Sequence, residues 1–191
     1  MGILAGKKVA IIVAMPDEFK DAVLADGHSL TICHVGKVNA AVAAARIIAE
    51  DKPDLVLNLG CAGSKKLARH AVINCTKFIQ RDMDLTALGK PKFAGGSADP
   101  LGAPVLGYGI RLPEFPDGVC GTGDSFVTNM DDDYDLVEME AYAIAKACAL
   151  AGVPFLCLKF ISDGADDQAD VYADVLSICS DKLKEAYEGL V

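Results

Sequence analysis

The feature that most constrains the fold is a set of short runs that are apolar almost without a break: Val9 to Ala14, Leu55 to Leu59 and Phe155 to Ile161. A strand with one wet face alternates apolar and polar residues, whereas a strand covered on both faces does not. These runs therefore read as interior strands of a sheet flanked by helices on both sides. Ser29 to His34 and Ala71 to Ile79 read as further strands, and Val119 to Val127 mixes strand residues with Gly121 and Gly123. Between them lie helical patterns. Pro16-Asp17-Glu18 opens a short helix, since proline suits a first turn and acids suit the positive end of the dipole. Val38 to Glu50 carries a stripe of Val38, Ala41, Val42, Ala45 and Ile48 at helical spacing. A third helix runs from about Glu140 to Ala151, stopped by Gly152 and Pro154. The last runs from Asp170 to about Glu188, with Val175, Leu176, Cys179, Leu183 and Tyr187 on one face. Pro91 to Pro104 reads as a loop. The expectation is one α/β domain over residues 1–191, with a mostly parallel mixed sheet flanked by helices.

Composition narrows what such a domain binds. A net charge of −9 disfavours DNA or RNA, which require a basic surface. No run approaches the length of a membrane span, and the apolar run at the N-terminus is too short for a signal peptide. The seven cysteines, at 33, 61, 75, 120, 148, 157 and 179, are odd in number and form no CxxC pair. They read as unpaired buried thiols in a reducing cytoplasm, not as a disulfide framework or zinc site. The three histidines are scattered, so no metal or other cofactor is expected.

Four clusters of polar or small residues directly follow apolar runs: Met15–Glu18, Gly60–Ser64, Glu138–Glu140 and Ser162–Asp163. If the strands are parallel, all four open on one edge of the sheet, where ligands of such folds bind. A pocket there is lined by Glu18, Glu138, Glu140 and Asp163. Carboxylates in that arrangement suit cleavage of a glycosidic bond: positive charge builds on the sugar, one carboxyl protonates the leaving group and another activates water. Taken singly, an acid at a helix start serves the dipole as readily as it serves chemistry.

Longer motifs sharpen this. Ala14-Met15-x-x-Glu18, Val35-Gly36-Lys37-Val38-Asn39-Ala40-Ala41 and Pro53 to Gly63 come first. Asp82-x-Asp84-x-Thr86-Ala87-x-Gly89 and Gly123-Asp124-Ser125-Phe126-Val127 follow. Val137-Glu138-Met139-Glu140-Ala141-x-Ala143-Ile144-Ala145 and Ile161-Ser162-Asp163-x-Ala165-Asp166 close the series. Together, and in this order, they resemble the methylthioadenosine/S-adenosylhomocysteine nucleosidases, within the wider nucleoside phosphorylase family. The resemblance implies a nucleoside phosphorylase-like fold, a purine nucleoside substrate and a homodimer. It implies Asp163 as the general acid and Glu18 as the base that activates water. Met139 and Glu140 would hold the ribose with Glu138 close by, Phe126 would stack on the purine, and Val127 would meet its edge. Val35 and Met15 would line the sugar and the 5′ side, with Cys61 and Ser162 in the same pocket and Tyr172 over the 5′ end.

The departures are as specific as the matches. The stretch between the first helix and Gly36 is shorter than in the family, and a helix before Glu138 is reduced to Asp131–Asp135. Cys61 stands where Ser is common, and Lys159 where Arg is common. Hydrolysis is favoured over phosphorolysis, because no arginine lies in the strand-end clusters and Met15–Glu18 would repel an anion. Arg81, beside Asp82 and Asp84, keeps phosphorolysis open, and binding without turnover is the third reading.

Overall fold

The computed structural model describes residues 2–96, 98–165 and 172–191, apart from the side chains of residues 172–174. The strands are β1 (Val9–Val13), β2 (His28–Ile32), β3 (Leu55–Gly63), β4 (Val72–Gln80), β5 (Leu106–Gly107), β6 (Asp117–Thr122), β7 (Leu136–Glu138) and β8 (Phe155–Asp163). The α-helices are α1 (Lys37–Asp51), α2 (Ala141–Ala151) and α3 (Tyr172–Leu190), with 3-10 turns at Pro16–Phe19 and Thr86–Leu88. β1, β3 and β8 are buried along almost their whole length, as their unbroken apolar runs require. β2 lies at the sheet edge and is half exposed.

β1 pairs in parallel with β2 and β3, and β3 with β8. β8 then meets β4 antiparallel, β4 runs parallel to β6, and β6 parallel to β7. β7 returns to β3 antiparallel, through the single register pair Gly63↔Val137. The pairings thus close into a ring, β3–β8–β4–β6–β7, with β1 and β2 extending from β3. This is the expected mostly parallel mixed sheet flanked by helices. One premise needs correcting: β7 is not parallel to β3. The two strands run toward each other and overlap only at their C-terminal tips, so Glu138–Glu140 still arrives beside Gly60–Ser64.

Two packed layers cover the sheet. α1 and α2 lie over one face, with Ala40, Ala44, Ile47, Ala141, Ile144, Ala145 and Cys148 in the core. α3 covers the other, through Val175, Cys179, Leu183 and Tyr187, the face its spacing predicted. α1 departs from its pattern. Ala40, Ala44 and Ile47 face the sheet, while Val38 and Val42 are 74% and 64% exposed. Alanines allow a close approach to the sheet, so the bulkier stripe is left outward.

The cysteines also depart from expectation. Cys61, at the end of β3, is bonded to Cys179 of α3 across a sequence separation of 118 residues. No spacing rule reaches across such a distance; only the packing of α3 on β3 brings their Cα atoms to 6.6 Å. Cys33, Cys75, Cys120, Cys148 and Cys157 are free and buried, as expected. Among the described residues, no helix is long and apolar enough to cross a membrane.

Candidate active site

The strand ends open into a cavity of about 360 Å³, within the usual range for a small-molecule site. Met15, Glu18, Val35, Cys61, Phe126, Val127, Glu138, Met139, Glu140, Ser162 and Asp163 all line it. The side chain of Tyr172 lies outside the described residues. So does the Asp170 start expected for the last helix.

Glu18 is set by a single 3-10 turn. Met15 is extended, Pro16 starts the turn, and Glu18 and Phe19 at its end are both buried. Phe19 packs edge-on against Tyr187 of α3, with ring centroids 5.5 Å apart. Lys20 N–H donates to Ser180 Oγ at 2.8 Å, which pins the end of the turn to the same helix. Glu18 then points back under β1 and β3. Its Oε2 accepts from the N–H groups of Ala14 and Met15, at 2.9 and 3.0 Å, and its Oε1 accepts from Cys61 N–H at 3.0 Å. A carboxylate oxygen accepts about two hydrogen bonds. Oε2 is therefore filled, and Oε1 retains one lone pair.

Glu138 borders the cavity, but both of its oxygens are bonded within the protein and Oε2 is filled. Oε1 accepts from Thr122 Oγ1, and Oε2 accepts from the N–H groups of Glu140 and Ala141, at 2.9 and 2.8 Å. Tyr142 N–H donates to Thr122 Oγ1 at 2.9 Å. Glu138 and Thr122 thus satisfy the orphan donors at the start of α2. Lys159 Nζ lies 3.0 Å from Glu138 Oε2, with both side chains 2% exposed. Burial alone would lower the Lys159 value, yet the Glu138 carboxylate holds it well above the ordinary lysine range. Burial would likewise raise Glu138, but Lys159 and the donors around it hold its carboxyl below the ordinary range.

Glu140 is the N-cap residue of α2 and is buried, with Oε1 accepting from Gly36 N–H at 2.8 Å. Burial, with the neighbouring charge of Glu138, pushes it up to about 7. Its environment differs from that of Glu138 in supplying fewer donors, so it is the carboxyl with capacity left for a ligand.

Asp163 ends β8. Its Oδ2 accepts from Ser162 Oγ at 2.7 Å and its Oδ1 from Ala165 N–H at 2.8 Å. Gly63 permits this pose, because a Cβ there would stand 2.5 Å from Asp163 Oδ1. The glycine ending β3 and the acid ending β8 are thus parts of one arrangement.

Phe126 is 59% exposed and forms an open wall with Ser125 and Val127. Arg81 also lines the cavity. Behind this wall Lys37 Nζ pairs with Asp82 and, at 3.5 Å, with Asp124. Lys37 N–H donates to Asp124 Oδ1 at 2.8 Å, and Asp124 N–H to Asp82 Oδ2 at 3.0 Å. The Asp82 motif and the Gly123–Val127 motif are therefore joined to the start of α1.

In the sequence Lys159 stood out only as a departure from a common Arg; its pairing with Glu138, the part played by Thr122 and the buried role of Glu138 were not anticipated. The available signal was Lys159 itself: one charge inside the run Phe155 to Ile161 requires a buried partner. Among the described residues, no group of three or more His, Cys, Asp or Glu side chains is placed to hold a metal ion.

A family model described as the phosphorylase superfamily matches residues 1–190. The 5′-methylthioadenosine/S-adenosylhomocysteine nucleosidase of Exiguobacterium sp. is 33% identical over 177 residues, which cover 78% of this chain and 74% of that protein. The crystal structure of the same-named enzyme from Neisseria meningitidis, in complex with methylthio-immucillin-A, superposes with a TM-score of 0.80. It is 27% identical and covers 95% of this chain and 97% of that one. The native structure of futalosine hydrolase of Helicobacter pylori superposes with a TM-score of 0.81 at 22% identity, covering 96% of this chain and 97% of that one; this is a likeness of fold. With a match over nearly its whole length and carboxylates converging at the strand ends, the chain belongs to the phosphorylase superfamily, among the 5′-methylthioadenosine/S-adenosylhomocysteine nucleosidases.

Proposed function

We infer that this chain hydrolyses the N-glycosidic bond of a 5′-substituted adenosine, of the methylthioadenosine or S-adenosylhomocysteine type. The observation that carries the reading is the meeting of Glu18, Glu140 and Asp163 in one cavity, each held by different partners and each with a different remaining capacity. In the proposed mechanism the purine lies against Phe126, with backbone groups of Val127 at its edge. Glu140, beside Met139, accepts from the ribose hydroxyls. Asp163 donates a proton to a ring nitrogen of the base as the bond to the sugar breaks. The electron pair of that bond leaves with the purine, and positive charge grows on the sugar. Water on the other side gives its proton to Glu18 Oε1, the oxygen with a free lone pair, and its oxygen bonds to the sugar carbon. Glu138 and Lys159 act beneath, by fixing the start of α2 and hence Glu140.

Phosphorolysis finds less support. Both terminal nitrogens of Arg81 are engaged by protein oxygens, and the carboxylate of Glu18 in the cavity would repel an anion. The deciding experiment incubates methylthioadenosine, S-adenosylhomocysteine and adenosine with and without phosphate. Free base with free sugar in both conditions is expected. Sugar phosphate appearing only with phosphate would replace hydrolysis by phosphorolysis, and the absence of turnover with retained binding would leave a binding protein.

A homodimer and a cytoplasmic setting belong to the same proposal. Val38 and Leu150 are exposed on a groove shared with Ala41, Ala45 and Ile48 between α1 and α2, and Val42, one turn beyond Val38 on α1, is exposed as well. A contiguous apolar face of this kind suits a second copy of the chain. Sedimentation should report a dimer that Val42→Asp dissociates. Five free buried thiols favour a reducing compartment, against which the Cys61–Cys179 bond stands. Alkylation in intact cells before lysis measures which state prevails.

A further inference from the structure

We propose that Arg81 is a positioning residue for the purine: its guanidinium clamps residues 123–125 and so fixes the wall on which the base stacks. The proposal rests on the nucleosidase reading of the cavity and names a residue that reading does not require.

Arg81 follows directly after β4, and its own N–H donates to Thr122 O at 2.9 Å, at the end of β6. The side chain turns back across the neighbouring segment. Nη2 donates to Gly123 O at 3.0 Å and to Ser125 O, and Nη1 donates to Ser125 Oγ at 3.0 Å. Phe126 and Val127 follow at once in the chain. Gly123 fits this contact closely: a Cβ there would stand 2.8 Å from Arg81 Cζ and 3.0 Å from Nε. The guanidinium therefore lies close against Gly123, and a larger residue would displace it.

The use of the terminal nitrogens favours a clamp over an anion site. The fork that would grip a phosphate in bidentate fashion is spent on carbonyls and a hydroxyl. Nε is the exception, buried with no partner among the described residues, so the anchoring rests on the two terminal nitrogens. The segment it secures is otherwise exposed from Asp124 to Phe126. A planar cation with several fixed donors can immobilise such a backbone; a lysine, with a single nitrogen, cannot reproduce the fork.

The test uses a fluorescent purine nucleoside, 2-aminopurine riboside, whose emission is quenched by stacking; the chain contains no Trp, so background is low. Arg81→Gln should weaken binding on the order of tenfold, as expected for loss of charge-assisted hydrogen bonds, and should reduce the quenching of the bound ligand. In hydrolysis assays the loss should fall mainly on KM. Phe126→Leu should weaken binding similarly, and the double variant should be no worse than about the poorer single one, because both changes act on one wall. Gly123→Ala, which displaces the guanidinium, should reproduce Arg81→Gln, whereas Arg81→Lys should not rescue. Fully additive effects of the Arg81 and Phe126 substitutions, or unchanged quenching in Arg81→Gln, would overturn the proposal. Amide exchange of residues 123–127 without ligand separates this from the function itself. It should quicken in Arg81→Gln even if the natural protein cleaves no nucleoside, and unchanged exchange there would remove the clamp while leaving the nucleosidase reading intact. Phosphate-dependent turnover lost in Arg81→Gln would instead make Arg81 an anion ligand.

Discussion

The two sides of the cavity are built on different physical terms. The floor, formed by Glu18, Glu138, Glu140 and Lys159, is buried, and its charged groups are fixed by backbone amides, a threonine and one another. The wall, formed by Arg81, Asp82, Asp124 and Phe126 with Lys37 behind it, is exposed to half exposed and held by long side chains reaching across loops. A buried floor makes each lost partner expensive, since the group left behind cannot find water. An exposed wall makes each lost ion pair cheap and screened by salt. The floor should thus govern stability and rate, and the wall affinity and choice of base.

The largest effect is expected at the seam between them. Asp163→Asn keeps the size of the side chain but cannot give up a carboxyl proton, so kcat should fall by roughly 10²- to 10⁴-fold, with nucleoside affinity changed much less. Steady-state rates together with direct binding check this; near-normal turnover would remove Asp163 from the chemistry. Next is Lys159→Met, which strands Glu138 in the core. Unfolding in urea should show a loss of about 3–5 kcal/mol, and a loss below about 1 kcal/mol would mean that the floor is not the stiff element.

Removal of the Cys61–Cys179 bond comes third. Cys179→Ala should cost about 2–4 kcal/mol, because the bond closes a long loop in the unfolded chain. The same change in the natural protein on treatment with a thiol reductant would confirm that the bond exists in solution, whereas indifference to reductant would show the two thiols free.

Glu140 provides a pH test. Its folded value of about 7 lies above the ordinary 4.5, so the folded state holds this proton more tightly than the unfolded chain does. On its account stability falls as pH rises from about 4.5 through 7, and stays at the lower level above that. Ribose hydroxyls donate to the ionised form, so affinity for a non-hydrolysable nucleoside should rise with pH up to about 7, and Glu140→Gln should flatten that rise. A 2′-deoxynucleoside should lose roughly 1–3 kcal/mol in transition-state binding; equal use of both sugars would place the ribose elsewhere. The smallest effect belongs to the wall. Lys37→Met should destabilise by less than about 1 kcal/mol, and a larger loss would erase the contrast between floor and wall.

The sequence by itself determined the layers of the fold and most of the residues that line the cavity, though not Arg81. Unbroken apolar runs can be satisfied only between two covering layers, and the polar clusters that end them had to emerge at strand tips. That logic places Glu18, Glu140 and Asp163 together from local pattern alone, and the ordered motifs suggest their chemical sense. What it could not reach was pairing between distant elements. Whether β7 ran with or against β3, which face of α1 met the sheet, and that Cys61 lay against Cys179 were decided by closure of the ring and by the packing of α3. The same holds for Lys159 and Glu138, charges in separate strands whose union appears only when β8 and β7 flank the end of β3. Local patterns record whether a side chain must leave water; they do not record which partner meets it there, because that choice depends on contacts between segments far apart in the chain.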